Sequence, residues 1–180
     1  PPAPRAPRDA EAVEWSAAKL ELVAGECRRR AAAIRPTVSV RTATDRRRAL
    51  DGADVVLNQV RIGGLAARAS DESFPRDHGL PGEETMGPGG FANALRTVPV
   101  LRTIWADVQA MAPNALVVNL TNPAGIVVAA ARREFALRIV SVCDSPISLT
   151  AAIAERLGRP AARVRARYVG MNHVGWYVPD

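Results

Sequence analysis

Apolar residues recur at Val13, Ala17, Leu20, Val23 and Cys27, the spacing of a helical stripe, and predict a helix over 13–34. Pro36 ends it, because proline lacks the amide hydrogen that a helix interior needs. Thr37-Val38-Ser39-Val40 is rich in β-branched residues and predicts a short strand. Asp45 is placed to cap a turn of helix running to Leu50. The pattern then changes to continuous apolar runs closed by polar residues. Asp54-Val55-Val56-Leu57-Asn58-Gln59-Val60, Ala115-Leu116-Val117-Val118-Asn119-Leu120 and the run 138–142 predict strands buried on both faces, as in parallel sheets. Helices are expected between and after them, over 91–111, from 124 onward, and over 147–157 where Gly158 stops the last. Segment 66–90 has no core periodicity and is dense in charge, glycine and proline, so it predicts a long loop of the kind that is usually functional. The final run, 164–178, is strand-like. Strand and helix alternate, which predicts an α/β fold with a doubly wound parallel (Rossmann-like) sheet. The proline-rich residues 1–12 predict a disordered tail.

Composition narrows the class only a little. With 180 residues the chain holds one domain with a core, or one domain and part of another. The +6 net charge is carried almost wholly by arginine, since Lys19 is the single lysine. Those arginines are scattered or in short triplets, and aromatic residues make up only 4%, which argues against a basic, ring-bearing nucleic-acid surface. Two cysteines, Cys27 and Cys143, are too few for a disulfide framework. No apolar run approaches the roughly 18 residues of a spanning helix. The expected setting is the cytoplasm, with free thiols and no membrane or nucleic-acid partner.

Candidate chemistry gathers at strand ends. Cys143 and Asp144 follow an apolar strand and precede Pro146, and His173 follows a second strand-like run. Ligands in open α/β sheets bind at the carboxyl ends of strands, and a thiolate with an imidazole suits a transition metal that keeps positions open. A buried cysteine and a satisfied histidine would give the same letters. Gly87-Pro88-Gly89-Gly90 precedes a helix, where free amide hydrogens and the helix dipole favour an anion; a plain glycine turn reads the same way. No Gly-x-Gly-x-x-Gly turn follows an opening strand, so the chain is expected to be a fragment lacking both ends.

Five stretches taken together carry a resemblance: 58–65 (Asn-Gln-Val-Arg-Ile-Gly-Gly-Leu), 82–91 (Gly-Glu-Glu-Thr-Met-Gly-Pro-Gly-Gly-Phe), 119–125 (Asn-Leu-Thr-Asn-Pro-Ala-Gly), 143–146 (Cys-Asp-Ser-Pro) and 170–176 (Gly-Met-Asn-His-Val-Gly-Trp). In order and spacing they resemble glycoside hydrolase family 4, the NAD- and manganese-dependent 6-phospho-β- and 6-phospho-α-glucosidases. The resemblance implies a partial NAD-binding domain over 13–143 and the start of a substrate and metal domain over 144–180. It implies Cys143 and His173 as ligands of Mn2+ or another divalent metal. Arg68, Glu84, Asn122 and Asn172 would face the phosphosugar, and Asn58, Gln59 and Asn122 the NAD. The implied chemistry is oxidation at carbon 3 of the sugar by NAD, metal-assisted elimination of the aglycone, addition of water and return of the hydride.

Asp144 matches the position of the leaving-group acid in α-acting members, whereas the Gly-Pro-Gly-Gly-Phe loop resembles the β-acting group. The β preference is expected on the longer match, with 6-phospho-α-glucosidase as the alternative. The substrate would be a phosphorylated disaccharide or glucoside and the full-length enzyme a homo-oligomer, while the isolated chain is expected to be inactive. Two other classes fit the sheet pattern: a non-catalytic remnant, and an NAD-dependent 2-hydroxy-acid dehydrogenase, which has no need of Cys143.

Overall fold

A computed structural model describes residues 17–34, 37–171 and 173–179. Helix α1 (Ala17–Ile34) forms in the predicted segment, though Val23 and Cys27 of the predicted stripe are exposed and Ala24 is buried instead. Helix α2 (Arg46–Leu50) starts where the Asp45 side chain accepts a hydrogen bond from the Arg47 amide. The strands β1 (Val55–Asn58), β2 (Leu116–Asn119) and β3 (Arg138–Ser141) form one parallel sheet in that order. Their register aligns Asn58 with Asn119 and Asn119 with Ser141. Helices α3 (Gly64–Ser73) and α4 (Gly87–Met111) connect β1 to β2, and α5 (Ala124–Glu134) connects β2 to β3. After β3 come α6 (Ser145–Arg156) and an antiparallel hairpin of β4 (Ala166–Met171) and β5 (Val174–Pro179). The predicted disordered tail over 1–12 lies outside the described residues.

One core forms where α4 and α5 lie on the sheet. Leu101, Trp105 and Val108 of α4 recur on one helix face and pack with Leu50, Val117, Val127, Ala131 and Ile139. Trp105 is fully buried and meets the edge of Phe135, with ring centroids 5.8 Å apart. Pro99 interrupts the ladder of α4 on its exposed side, where the freed carbonyl can be hydrated. Arg46 and Arg47 both reach Asp107 and pin α2 to α4, while Arg102 clasps Glu134 of α5 through two bonds of 2.7 and 2.6 Å. Among the described residues, no helix is long and apolar enough to cross a membrane.

Three expectations are corrected. Residues 37–40 are not a strand: Thr37 lies in a turn, and 38–43 has no ladder partner and is held to α1 instead, with Arg28 Nε donating to the Val40 carbonyl (3.2 Å) and Thr42 Oγ1 to Glu21 (2.8 Å). Segment 66–90 is not a continuous loop, since α3, a 3-10 turn at Phe74–His78 and the first turn of α4 occupy most of it. The buried position of α3 is a charge, Asp71, bonded to Arg96, so no apolar stripe announces the helix. Nor are the strands buried on both faces. Val55 and Leu57, on the face of β1 opposite Val56 and Asn58, are 60% and 64% exposed.

A candidate metal and sugar-phosphate site at the strand ends

The carboxyl ends of the three strands carry a buried polar row. Asn58 Nδ2 donates to Asn119 Oδ1 (2.7 Å), and Asn119 Nδ2 donates to the Ser141 hydroxyl and the Thr121 carbonyl (both 2.9 Å). Thr121 Oγ1 accepts the Val60 amide (2.9 Å), which ties the exits of β1 and β2 together. Each buried amide and hydroxyl in this row has a partner, as burial requires. The Asn58 side chain is thereby committed to the row, whereas Gln59 is exposed at the end of β1.

Above the row sits Glu84, buried on the stretch between the 3-10 turn and α4. Its carboxylate accepts hydrogen bonds from Arg61 Nη1 and from Asn122 Nδ2 (3.1 Å), with Arg68 Nε 3.6 Å away. Burial pushes this carboxyl up, but the bonds from Arg61 and Asn122 and the charges of Arg61 and Arg68 together hold it below the ordinary glutamate value. Arg68 also donates to Glu72 (2.7 Å), and Glu72 and then Glu84 strengthen its hold on its proton. Asn93 in α4 supports the cluster from below, donating to the carbonyls of Asn122 (3.2 Å) and Glu84 (3.4 Å) while it accepts from Thr97. Glycine makes this closeness possible. A Cβ on Gly89 would stand 2.4 Å from the carbonyl oxygens of both Asp71 and Glu83, and one on Gly82 only 1.9 Å from that of Glu72.

A second cluster adjoins the first. Cys143 leaves β3, and His173 comes from the turn between β4 and β5; Cys143 Sγ and His173 Nε2 are 3.6 Å apart. The other ring nitrogen, Nδ1, lies 3.4 Å from Glu83 Oε1. Asp144 precedes α6, exposed, and makes no cap bond with its side chain, although its carbonyl accepts from the Ile147 and Ser148 amides (3.0 Å). An open cleft beside His173 is lined by Ser145, Pro146, Leu149, Tyr168, Gly175 and Tyr177. The Tyr168 and Tyr177 rings pack edge to face at 5.2 Å; burial, then Tyr168 and Cys143, push the Tyr177 phenol up.

The thiol–imidazole spacing fits a shared metal ion. At 3.6 Å the two atoms are in thiol–imidazole contact and are also close enough together for both to reach one ion. Among the described residues, no group of three His, Cys, Asp or Glu side chains converges as a complete metal cage. A metal ion held by Cys143 and His173 would need further ligands from other groups.

Of the residues singled out in the sequence, Arg68, Glu84 and Asn122 come together in one cluster and Cys143 and His173 in the other, with Asp144 adjacent. Asn172 lies outside the described residues. Arg61, Glu83 and Asn93 were not singled out individually. Arg61 and Glu83 lie within the stretches that carried the family resemblance, but spacing alone gave neither a partner. Nothing in the sequence set Asn93 apart from other polar positions of α4.

Fold and site define an α/β domain of the dinucleotide-binding type with a cysteine–histidine pair at its strand ends. Comparison gives the particular family. The chain belongs to the family 4 glycosyl hydrolases, whose model matches residues 10–159. It is 40% identical over 157 residues to a probable 6-phospho-beta-glucosidase of Bacillus subtilis, covering 87% of this chain and 36% of that protein. It is 38% identical over 144 residues to 6-phospho-alpha-glucosidase 1 of Lacticaseibacillus paracasei, covering 79% and 33%. The chain thus spans about a third of the length of these relatives.

Among solved structures, a 6-phospho-alpha-glucosidase from gut microorganisms in complex with NAD and Mn2+ superposes with a TM-score of 0.77 at 31% identity, over 89% of this chain and 37% of that one. The Thermotoga maritima 6-phospho-beta glucosidase with manganese, NAD+ and glucose-6-phosphate gives 0.65 at 34% identity, over 75% and 33%. A lactate dehydrogenase from Eimeria maxima, at 18% identity and a TM-score of 0.56, shares the fold alone.

Proposed function

We propose that this chain supplies the metal-binding and sugar-phosphate-facing part of an NAD- and metal-dependent 6-phosphoglucosidase. The observation that carries the reading is the 3.6 Å approach of Cys143 Sγ to His173 Nε2, from elements 30 residues apart in sequence. The dehydrogenase alternative needs no such pair. When bound, NAD and the metal supply the redox couple and the Lewis acid for reversible oxidation at carbon 3. This chain's own residues bind and orient. Cys143 and His173 hold the metal, which requires the thiolate and a neutral imidazole. Asn122, fixed by Glu84 and Asn93, presents its amide to the sugar. Arg68 is a charge-assisted donor for the 6-phosphate, exchanging its bond to Glu72 for one to the ligand. NAD meets the carboxyl ends of β1 and β2 at Gln59 and Asn122, with Asn58 acting through its bond to Asn119.

The anomer follows from two features. The Gly87-Pro88-Gly89-Gly90-Phe91 opening of α4 supports 6-phospho-β-glucosides. The α reading is favoured by Asp144, an exposed side chain without a cap bond next to the metal cysteine, which in its carboxylic acid form can protonate a leaving group. A chimera tests both, with this chain replacing the matching segment of the Bacillus subtilis relative. It should cleave nitrophenyl 6-phospho-β-glucoside in NAD+ and Mn2+, faster than the α anomer, and Cys143→Ser should abolish turnover while the circular dichroism is kept. Normal metal-dependent turnover in Cys143→Ser overturns the site assignment, and a preference for the α anomer overturns the β reading.

A further inference from the structure

We propose that Glu83 is a positioning residue of the metal centre, holding the His173 ring so that Nε2 rather than Nδ1 faces Cys143. The inference rests on the reading of Cys143 and His173 as the metal pair, and it adds a residue that the pair itself does not identify. Four features of the structure meet on it.

The first is linear order across the ring. Glu83 Oε1 is 3.4 Å from Nδ1 on one side, and Cys143 Sγ is 3.6 Å from Nε2 on the other. A carboxylate behind a metal-binding imidazole fixes the ring's tautomer and orientation and raises the basicity of the ligating nitrogen. The 3.4 Å separation is longer than a formed hydrogen bond, so it is the kind of contact that a ligand on the far nitrogen draws in.

The second feature is that His173 needs an outside support. It stands in the two-residue turn between Met171 and Val174 with φ 64°, a left-handed conformation uncommon for a residue with a side chain. A ring on such a turn takes its angle from groups on other elements, and Glu83 is the one that faces Nδ1 in the structure.

The third is the state of Glu83 itself. Its Oε2 is cut off from solvent and has no hydrogen-bond partner. A carboxylate oxygen without a partner is costly to bury. A cation bound by Cys143 and His173 would offset that cost. Arg68 is close enough to feel the Glu83 charge, but its hydrogen bond goes to Glu72 and it also pairs with Glu84, 3.6 Å away.

Rigidity is the fourth. The segment bearing Glu83 is clamped between α3 and α4 by the contacts at Gly82 and Gly89 that no Cβ could enter. Two adjacent carboxylates therefore point to different partners: Glu84 to the guanidinium and amide groups, Glu83 to the imidazole.

The experiment uses the whole chain with Cys27→Ser as parent, so that Cys143 is the single thiol. Titration with Co2+ should give a thiolate-to-cobalt charge-transfer band that Cys143→Ser removes. Glu83→Leu should weaken Co2+ binding about 10–100-fold. Glu83→Gln, isosteric and still an acceptor, should recover part of that loss. The second readout is one that a merely structural residue would not move: with Cd2+ bound, imidazole 15N shifts should show His173 metallated at Nε2 and protonated at Nδ1 in the parent. In Glu83→Leu the ring should lose that single form. Unchanged affinity and an unchanged 15N pattern in Glu83→Leu overturn the role of Glu83 alone, and Glu83→Gln carries the same test should the leucine variant misfold. Absence of the cobalt band in the parent overturns the metal pair and the Glu83 role together.

Discussion

Replacing Glu84 by glutamine tests whether the Arg61–Glu84–Asn122 cluster is held by charge. The variant keeps the shape and one acceptor oxygen, but it loses the charge and turns the second oxygen into a donor. That donor faces either Arg61 Nη1 or Asn122 Nδ2, both of which are donors already. A hydrogen bond to a charged group contributes about 1.5–3 kcal/mol. The Glu84 side chain is 11% exposed but that of Arg61 is 37% exposed, so water partly replaces the lost partner. The expected cost is therefore about 1–2 kcal/mol, toward the lower part of that range.

The pH dependence carries a sign. The folded value of Glu84 lies below its ordinary one, so its contribution is complete above the unfolded carboxyl value and fades as pH falls through the folded value. The difference between wild type and Glu84→Gln, measured by urea unfolding with circular dichroism, should be full at neutral pH. It should shrink once pH drops below about 4.3, the unfolded glutamate value, because protonated Glu84 then resembles glutamine. Other acid-sensitive groups, such as Asp107 held low by Arg46, act equally in both proteins and cancel. A difference of the same size at pH 3 and pH 7, or none at pH 7, would refute the charge argument.

Two further outcomes follow from the packing and the site. Gly89→Ala should destabilise the chain by about 1–3 kcal/mol in the same urea assay, as overpacking does, because its Cβ meets two carbonyl oxygens at 2.4 Å. Gly25→Ala, with nothing within 4 Å on α1, should instead stabilise by roughly 0.5–1 kcal/mol; equal effects at both positions would contradict the close-approach reading. In the chimera, Asp144→Asn should slow alkyl 6-phosphoglucosides by about 10²–10⁴-fold while nitrophenyl substrates lose far less, and equal slowing of both would remove Asp144 as the leaving-group acid.

The alternation of apolar runs and amphipathic stripes was enough to give three parallel strands and the helices α4 and α5, because period and length are local properties of the chain. The Asp45 cap and the polar ends of β1, β2 and β3 were legible for the same reason: each depends on neighbours a few residues away. The separate motifs at Cys143 and His173 could be named from the letters alone, though not their 3.6 Å approach. What needed the tertiary structure was set by groups far apart in sequence. Helix α3 carries its buried charge against Arg96, 25 residues on, and a charge paired at that range leaves no apolar stripe to read. Glu83 and Glu84 are adjacent and chemically identical, and only the clamp of Gly82 and Gly89 between α3 and α4 turns one carboxylate to Arg61 and the other to His173.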